Sequence, residues 1–178
     1  MAIRAEAREA YHPRPRRGGP TMTTRTDIIE AIRAIDARLA ALRDRIIEDG
    51  ERPLVEGTWR VRDALSHLAA RGNGVDRVVQ RLRAAQAGTP VTPVTTIDDI
   101  NAGQVEERRG ASVTELLDEI RAAHAAAIAA LDHTDDATLA TPLAQGFRPG
   151  EAPVADMILR GGPGHDGNHI EQIEAALA

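Results

Sequence analysis

Residues 27–47 read DIIEAIRAIDARLAALRDRII, and the apolar positions Ile28, Ile32, Ile35, Leu39, Leu42 and Ile46 advance in alternating steps of four and three. That spacing draws a single stripe along a helix and marks a helix that packs one face against other helices. Asp27 in the first turn complements the helix dipole, and DGERP at 49–53 ends the pattern.

Three further segments repeat the logic. Val61, Leu65, Leu68, Gly72, Val75, Val79 and Leu82 predict a second helix over 61–86, opened by Asp63. AGTPVTPVTTIDD, residues 87–99, is rich in Pro, Thr and Gly and predicts a long connection. SVTE at 112–115 is a capping box, with Ser112 and Glu115 starting a third helix whose stripe is Val113, Leu117, Ile120, His124, Ala127 and Leu131. A fourth helix begins near Pro153, with a break predicted at Gly161, Gly162 and Pro163. No strand-like alternation and no internal repeat is present, so sheet is not expected. The fold class read from this is all-α, a four-helix bundle over residues 24–178 with a long crossover connection between helices 2 and 3.

Composition narrows the function. The chain has 178 residues, enough for one domain. Residues 1–21 carry five Arg, whereas residues 22–178 hold 17 Arg against 25 acids, a net charge of −8. With aromatics at 2% and Trp59, Tyr11 and Phe147 scattered singly, nucleic-acid binding is not expected. No run of about 18 apolar residues is present to span a membrane. The segment 1–23 lacks an apolar signal core and reads as a disordered or extraneous tail, with Met22 a natural start and a cytoplasmic location the expectation. Without cysteine there is no thiol nucleophile and no Cys metal site, so a metal must rest on His, Asp or Glu.

Two histidines, His165 and His169, stand four apart in GGPGHDGNHIEQIEAAL, residues 161–177. In a continuous helix both project within roughly 20° of the line through Ile158, toward the core. Such a pair either binds a metal or forms a hydrogen-bonded polar pair, and the spacing alone leaves both open. His67 falls roughly 110° from the centre of its stripe, which predicts a flank histidine at the surface, paired with Asp63 one turn earlier.

GTWRVRDALSHLA (57–69), INAGQV (100–105) and GHDGNHIEQI (164–173) together resemble the DinB-like four-helix bundles, which include the N-terminal domain of mycothiol-dependent maleylpyruvate isomerase. The resemblance spans about residues 24–178. It implies a divalent metal on His67, His165 and His169, with Zn²⁺ or Ni²⁺ suited to three neutral imidazoles and an open position left for water or substrate. It further implies a metal-dependent enzyme that transfers a low-molecular-weight thiol such as mycothiol or bacillithiol to an electrophilic small molecule. A metal-hydroxide hydrolase or detoxification enzyme and a non-catalytic metal-binding or dimerising helical bundle are the alternatives, and a homodimer through helical faces is compatible with all three. No catalytic residue is identified.

Several polar residues are candidates to hold the second imidazole nitrogens or to line the pocket. Asp63 lies one turn from His67 but also suits helix capping. Asn101 and Gln104 either line the cavity or make loop hydrogen bonds. His124, on the core face of the third helix, either reaches the site or is a satisfied buried histidine. Asp166 points about 100° from His165 on a helix and is the weaker candidate. His133 and His12 read as solvated, and Trp59 as a packing anchor for the second helix. The chain departs from the family at Arg60, where Ser or Thr usually caps, and at Pro163, which costs about 3 kcal/mol inside a helix and changes the aim of the histidines if the helix restarts there. The isomerase's C-terminal domain has no counterpart in this sequence, so maleylpyruvate isomerisation itself is not expected.

Overall fold

The computed structural model describes residues 22–72, 74–89, 96–145 and 149–178. Most of the expected tail, with Tyr11 and His12, lies outside these residues, as do Phe147 and the centre of the 87–99 connection. The tail reading ends short of residue 23: the Thr23 hydroxyl donates to Asp156 and Thr24 caps the first helix, so both belong to the fold.

The architecture is helical. Helix α1 runs Arg25–Asp49 and buries Ile28, Ile32, Ile35, Leu39 and Ile46, with Leu42 half-buried. Its N-terminus is a reciprocal box in which Thr24 accepts from the Asp27 backbone and Asp27 from the Thr24 backbone. The second predicted helix is two helices, α2 (Val61–Arg71) and α3 (Gly74–Gln86). The break falls at Gly72, whose φ of 55° and ψ of −150° lie where only glycine sits without strain. A further helix, α4 (Ile97–Glu107), forms within the expected connection, capped by Thr96. Then follow α5 (Val113–Asp132), opened by the Ser112–Glu115 box, and the short α6 (Asp136–Ala140).

Sheet is present after all, as a hairpin of β1 (Pro142–Ala144) and β2 (Glu151–Pro153) that pairs Leu143 with Ala152. Three-residue strands are too short for alternation to be legible. The last segment divides as its Gly-Gly-Pro indicated, into α7 (Val154–Gly161) and α8 (Pro163–Leu177), with Pro163 in the first turn where its missing N–H costs nothing.

Helix α1 packs on α5, α7 and α8, while α2 packs on α5, α8 and α4. One core cluster centres on Leu65, Leu116, Ile120, Ile170, Ile173 and Leu177, and a second on Ile28, Val75, Leu131, Val154 and Ile158. Each such side chain contributes about 1.5–3 kcal/mol of burial. The buried polar side chains include His67, His124 and Asp166. Among the described residues, no helix is long and apolar enough to cross a membrane.

Candidate metal centre

The break before Pro163 sets which way α8 faces. Its buried line runs through Pro163, Asp166, Ile170, Ile173 and Leu177, so the restarted helix does not give both histidines the core aim that a continuous helix would have given. His165 and His169 flank that line and are half-buried. They turn toward α2, where His67 is only 3% exposed. The expectation that His67 sits at the surface fails because α4 packs across that flank of α2, which no stripe on α2 alone reveals.

The three rings converge. Their centroids lie 4.6 to 5.2 Å apart, and one nitrogen from each falls within 4.8 Å of the others. His67 Nε2 stands 3.4 Å from His165 Nε2. Two nitrogens bound tetrahedrally to one ion at about 2.0–2.1 Å stand roughly 3.3 Å apart, so this pair is already spaced for a shared cation.

Each Nδ1 has an oxygen partner, which leaves the Nε2 atoms facing inward. His67 Nδ1 pairs with Gln104 Oε1 at 2.9 Å, His165 Nδ1 with Asp166 Oδ1 at 3.3 Å, and His169 Nδ1 with Gln172 Oε1 at 2.9 Å. An oxygen acceptor there fixes the tautomer with a proton on Nδ1 and a lone pair on Nε2, the arrangement metal-ligating histidines use. Burial pushes His67 down to about 4 against its hydrogen bond to Gln104, and His169 and His165 add to the shift. Burial, with His165 nearby, also lowers His169. Both rings are therefore neutral near pH 7 and competent as ligands. Trp59 closes one side, stacked on His169 with centroids 5.9 Å apart and packed on His67 at 5.2 Å. It does more than anchor a helix start.

The remaining candidates separate. Asp63 does not hold His67: its carboxylate accepts the Arg60 backbone N–H at 2.9 Å and grips the Arg60 guanidinium in two 3.0 Å bonds, capping α2 where Ser or Thr was lacking. Asn101 lines a cleft of about 440 Å³ with Trp59, Asp98, His169 and Gln172. His124 lies beyond the cluster, its Nδ1 2.6 Å from Asp36 Oδ1 and its Nε2 3.4 Å from Asp166 Oδ2. It is thus a satisfied buried histidine that touches the cluster through Asp166. Asp166, the weaker candidate in sequence, contacts His165 directly because its position on the buried line of α8 brings the carboxylate between His165 and His124. Burial raises its pKa, but the hydrogen bonds to His124 and His165 and the charge of Arg71 outweigh this and hold it at about 2. Gln172 was not singled out from sequence, although its spacing of three from His169 was a usable signal.

The sequence model of the mycothiol maleylpyruvate isomerase N-terminal domain family matches residues 28–160, and the chain belongs to this family of the DinB-like superfamily. The match contains His67 and ends before His165. A crystal structure of an uncharacterised protein from Clostridium difficile 630 is similar in fold, with a TM-score of 0.66 at 11% identity over 86% of this chain and 95% of that one. An uncharacterised protein from Escherichia coli UTI89 is also similar, with a TM-score of 0.60 at 17% identity over 85% and 91%. No curated protein matches the sequence.

Proposed function

We propose that His67, His165 and His169 hold a divalent ion, Zn²⁺ or Ni²⁺, and that the protein is a metal-dependent enzyme transferring a small thiol to an electrophilic small molecule. The observation that carries this reading is the convergence of three imidazoles whose Nδ1 atoms are each paired with an oxygen. When bound, such an ion supplies Lewis acidity that favours the ionised form of a thiol or water at its remaining position. The chain has no cysteine, so the thiol comes with the substrates. A reduced thiol pool fits a cytoplasmic location.

The protein's own part is to orient and to enclose. Gln104, Asp166 and Gln172 fix the three rings, Trp59 shields one side, and the cleft against His169 offers about 440 Å³ for the substrate. The reading takes α1, α2 with α3, α5, and α7 with α8 as the four members of a DinB-like bundle, joined between α3 and α5 by a crossover that carries α4.

Elemental analysis of purified wild type beside His67→Ala, His165→Ala and His169→Ala tests the centre. About one ion per chain in wild type and strong loss in each variant is expected, and full metal content in all three variants overturns it. Assay of a panel of electrophiles with and without mycothiol or bacillithiol tests the chemistry. Turnover that needs no thiol replaces transfer by hydrolysis, and turnover of none with either thiol removes the enzymatic reading.

A further inference from the structure

One polar chain leaves the three-histidine cluster and crosses the interior. From His165 Nδ1 it passes at 3.3 Å to Asp166 Oδ1 and from Asp166 Oδ2 at 3.4 Å to His124 Nε2. From His124 Nδ1 it continues at 2.6 Å to Asp36 Oδ1, whose side chain is one-third exposed. It links α8, α5 and α1 through two residues, Asp166 and His124, that are each less than a tenth exposed. Buried polar atoms without partners are costly, so a fully paired chain through an apolar interior holds its members in one arrangement.

The order of donors along the chain is dictated by the acceptors. Both ends of His124 face carboxylate oxygens, so both of its nitrogens donate. Asp166 receives one of these bonds on Oδ2, which orients the carboxylate and turns Oδ1 toward His165 as an acceptor. His165 then donates from Nδ1, and its lone pair is left on Nε2, the atom 3.4 Å from His67 Nε2. Arg71, with Nε 3.7 Å from Asp166 Oδ1, steadies the same carboxylate from the side of α2.

We propose that His124 and Asp36 are positioning residues of the metal centre: acting through Asp166, they set the tautomer and orientation of His165 although neither reaches the ion. The proposal rests on the reading that the three histidines hold a metal. It extends control of the centre to α1 and α5, which contribute no ligand. Outer partners of metal-binding histidines typically alter affinity by about 10- to 100-fold.

The test is Zn²⁺ titration of the metal-free full chain against a chromophoric chelator, in wild type, His165→Ala, His124→Leu and Asp36→Ala. It is combined with ¹⁵N imidazole spectra of the metal-free proteins, which report the tautomer of His165. Expected are weaker Zn²⁺ binding by about tenfold or more in His124→Leu, a smaller loss in Asp36→Ala, and a His165 signal shifted away from the Nδ1–H form in both. Asp36 is one-third exposed and more tolerant of substitution than His124, so its variant decides the matter if His124→Leu does not fold. Wild-type affinity and an unchanged His165 tautomer in the folded variants overturn the proposal. Equal, weak binding by wild type and His165→Ala instead overturns the metal reading itself, and the tautomer spectra then decide the positioning role alone.

Discussion

His67 Nε2 and His165 Nε2 stand 3.4 Å apart across 98 positions of sequence, one on α2 and the other in the first turns of α8. With both Nδ1 atoms paired to oxygens, the two Nε2 atoms are spaced as two ligands of one cation would be, which is the arrangement the proposed metal centre uses. A first consequence concerns heat. Adding Zn²⁺ to metal-free protein at 100 times its Kd should stabilise the fold by about 2.7 kcal/mol, read as a rise in Tm, and the rise should vanish in His67→Ala. An equal rise in both proteins places the binding elsewhere.

Gln104 is the partner that α4 brings to His67. Gln104→Ala should weaken Zn²⁺ binding roughly tenfold while leaving helix content unchanged, because α4 buries no residue of its own. Calorimetric titration gives the affinity and circular dichroism the fold. Unchanged affinity shows that the Gln104 contact does not orient the ring.

His124 makes stability depend on pH. Burial lowers its pKa, but the bonds to Asp166 and Asp36 outweigh burial, so the folded value is raised above the ordinary one. A group whose folded pKa is raised stabilises fully below its unfolded value of about 6.5, and that contribution is lost as pH rises through the folded value. His67 and His169, with lowered values, act in the opposite sense, weakening the fold as pH falls below the same point. The stability difference between metal-free wild type and His124→Leu should therefore shrink as pH rises above about 6.5. Urea midpoints measured from pH 6 to 9 check it, and a flat difference means that His124 contributes no charge-linked stability.

Ile170 is fully buried on the α8 line that also carries Asp166. Ile170→Ala should cost about 2–5 kcal/mol in urea unfolding, the range for truncating a large aliphatic side chain in a core. At saturating Zn²⁺ the variant should retain its ion, since no ligand is altered. Loss of both stability and metal would show that the face of α8 is set by this packing.

Gly72 divides α2 from α3 at φ 55°, and a Cβ added there meets nothing within 4 Å. Gly72→Ala should therefore cost only backbone strain, about 1–3 kcal/mol. Thermal unfolding measures it. No loss of Tm would mean the chain relaxes into one unbroken helix.

Much of this molecule was legible along the chain, because caps and stripes depend on neighbours three and four positions away. The Ile28–Ile46 stripe, the Ser112–Glu115 box, and the His165–His169 pair after a Gly-Gly-Pro stop are of that kind. The resemblance in three short motifs pointed to the three histidines that converge for the same reason, since the residue types and their order are written in the sequence. Helix α4 and the hairpin were not legible: α4 has no buried stripe and the strands span only three residues each.

What only the tertiary structure decided is rotation and contact. A break of one residue at Gly162 turns α8 about its axis, so Asp166 faces inward and the histidines face α2, a change that no wheel drawn through Ile158 contains. Likewise His67 is buried because another helix covers it, and Asp36 meets His124 because α1 packs on α5. Periodicity specifies which face of a helix is apolar; what lies against the other faces is settled by long-range packing, and the partners that hold the three rings come from those faces.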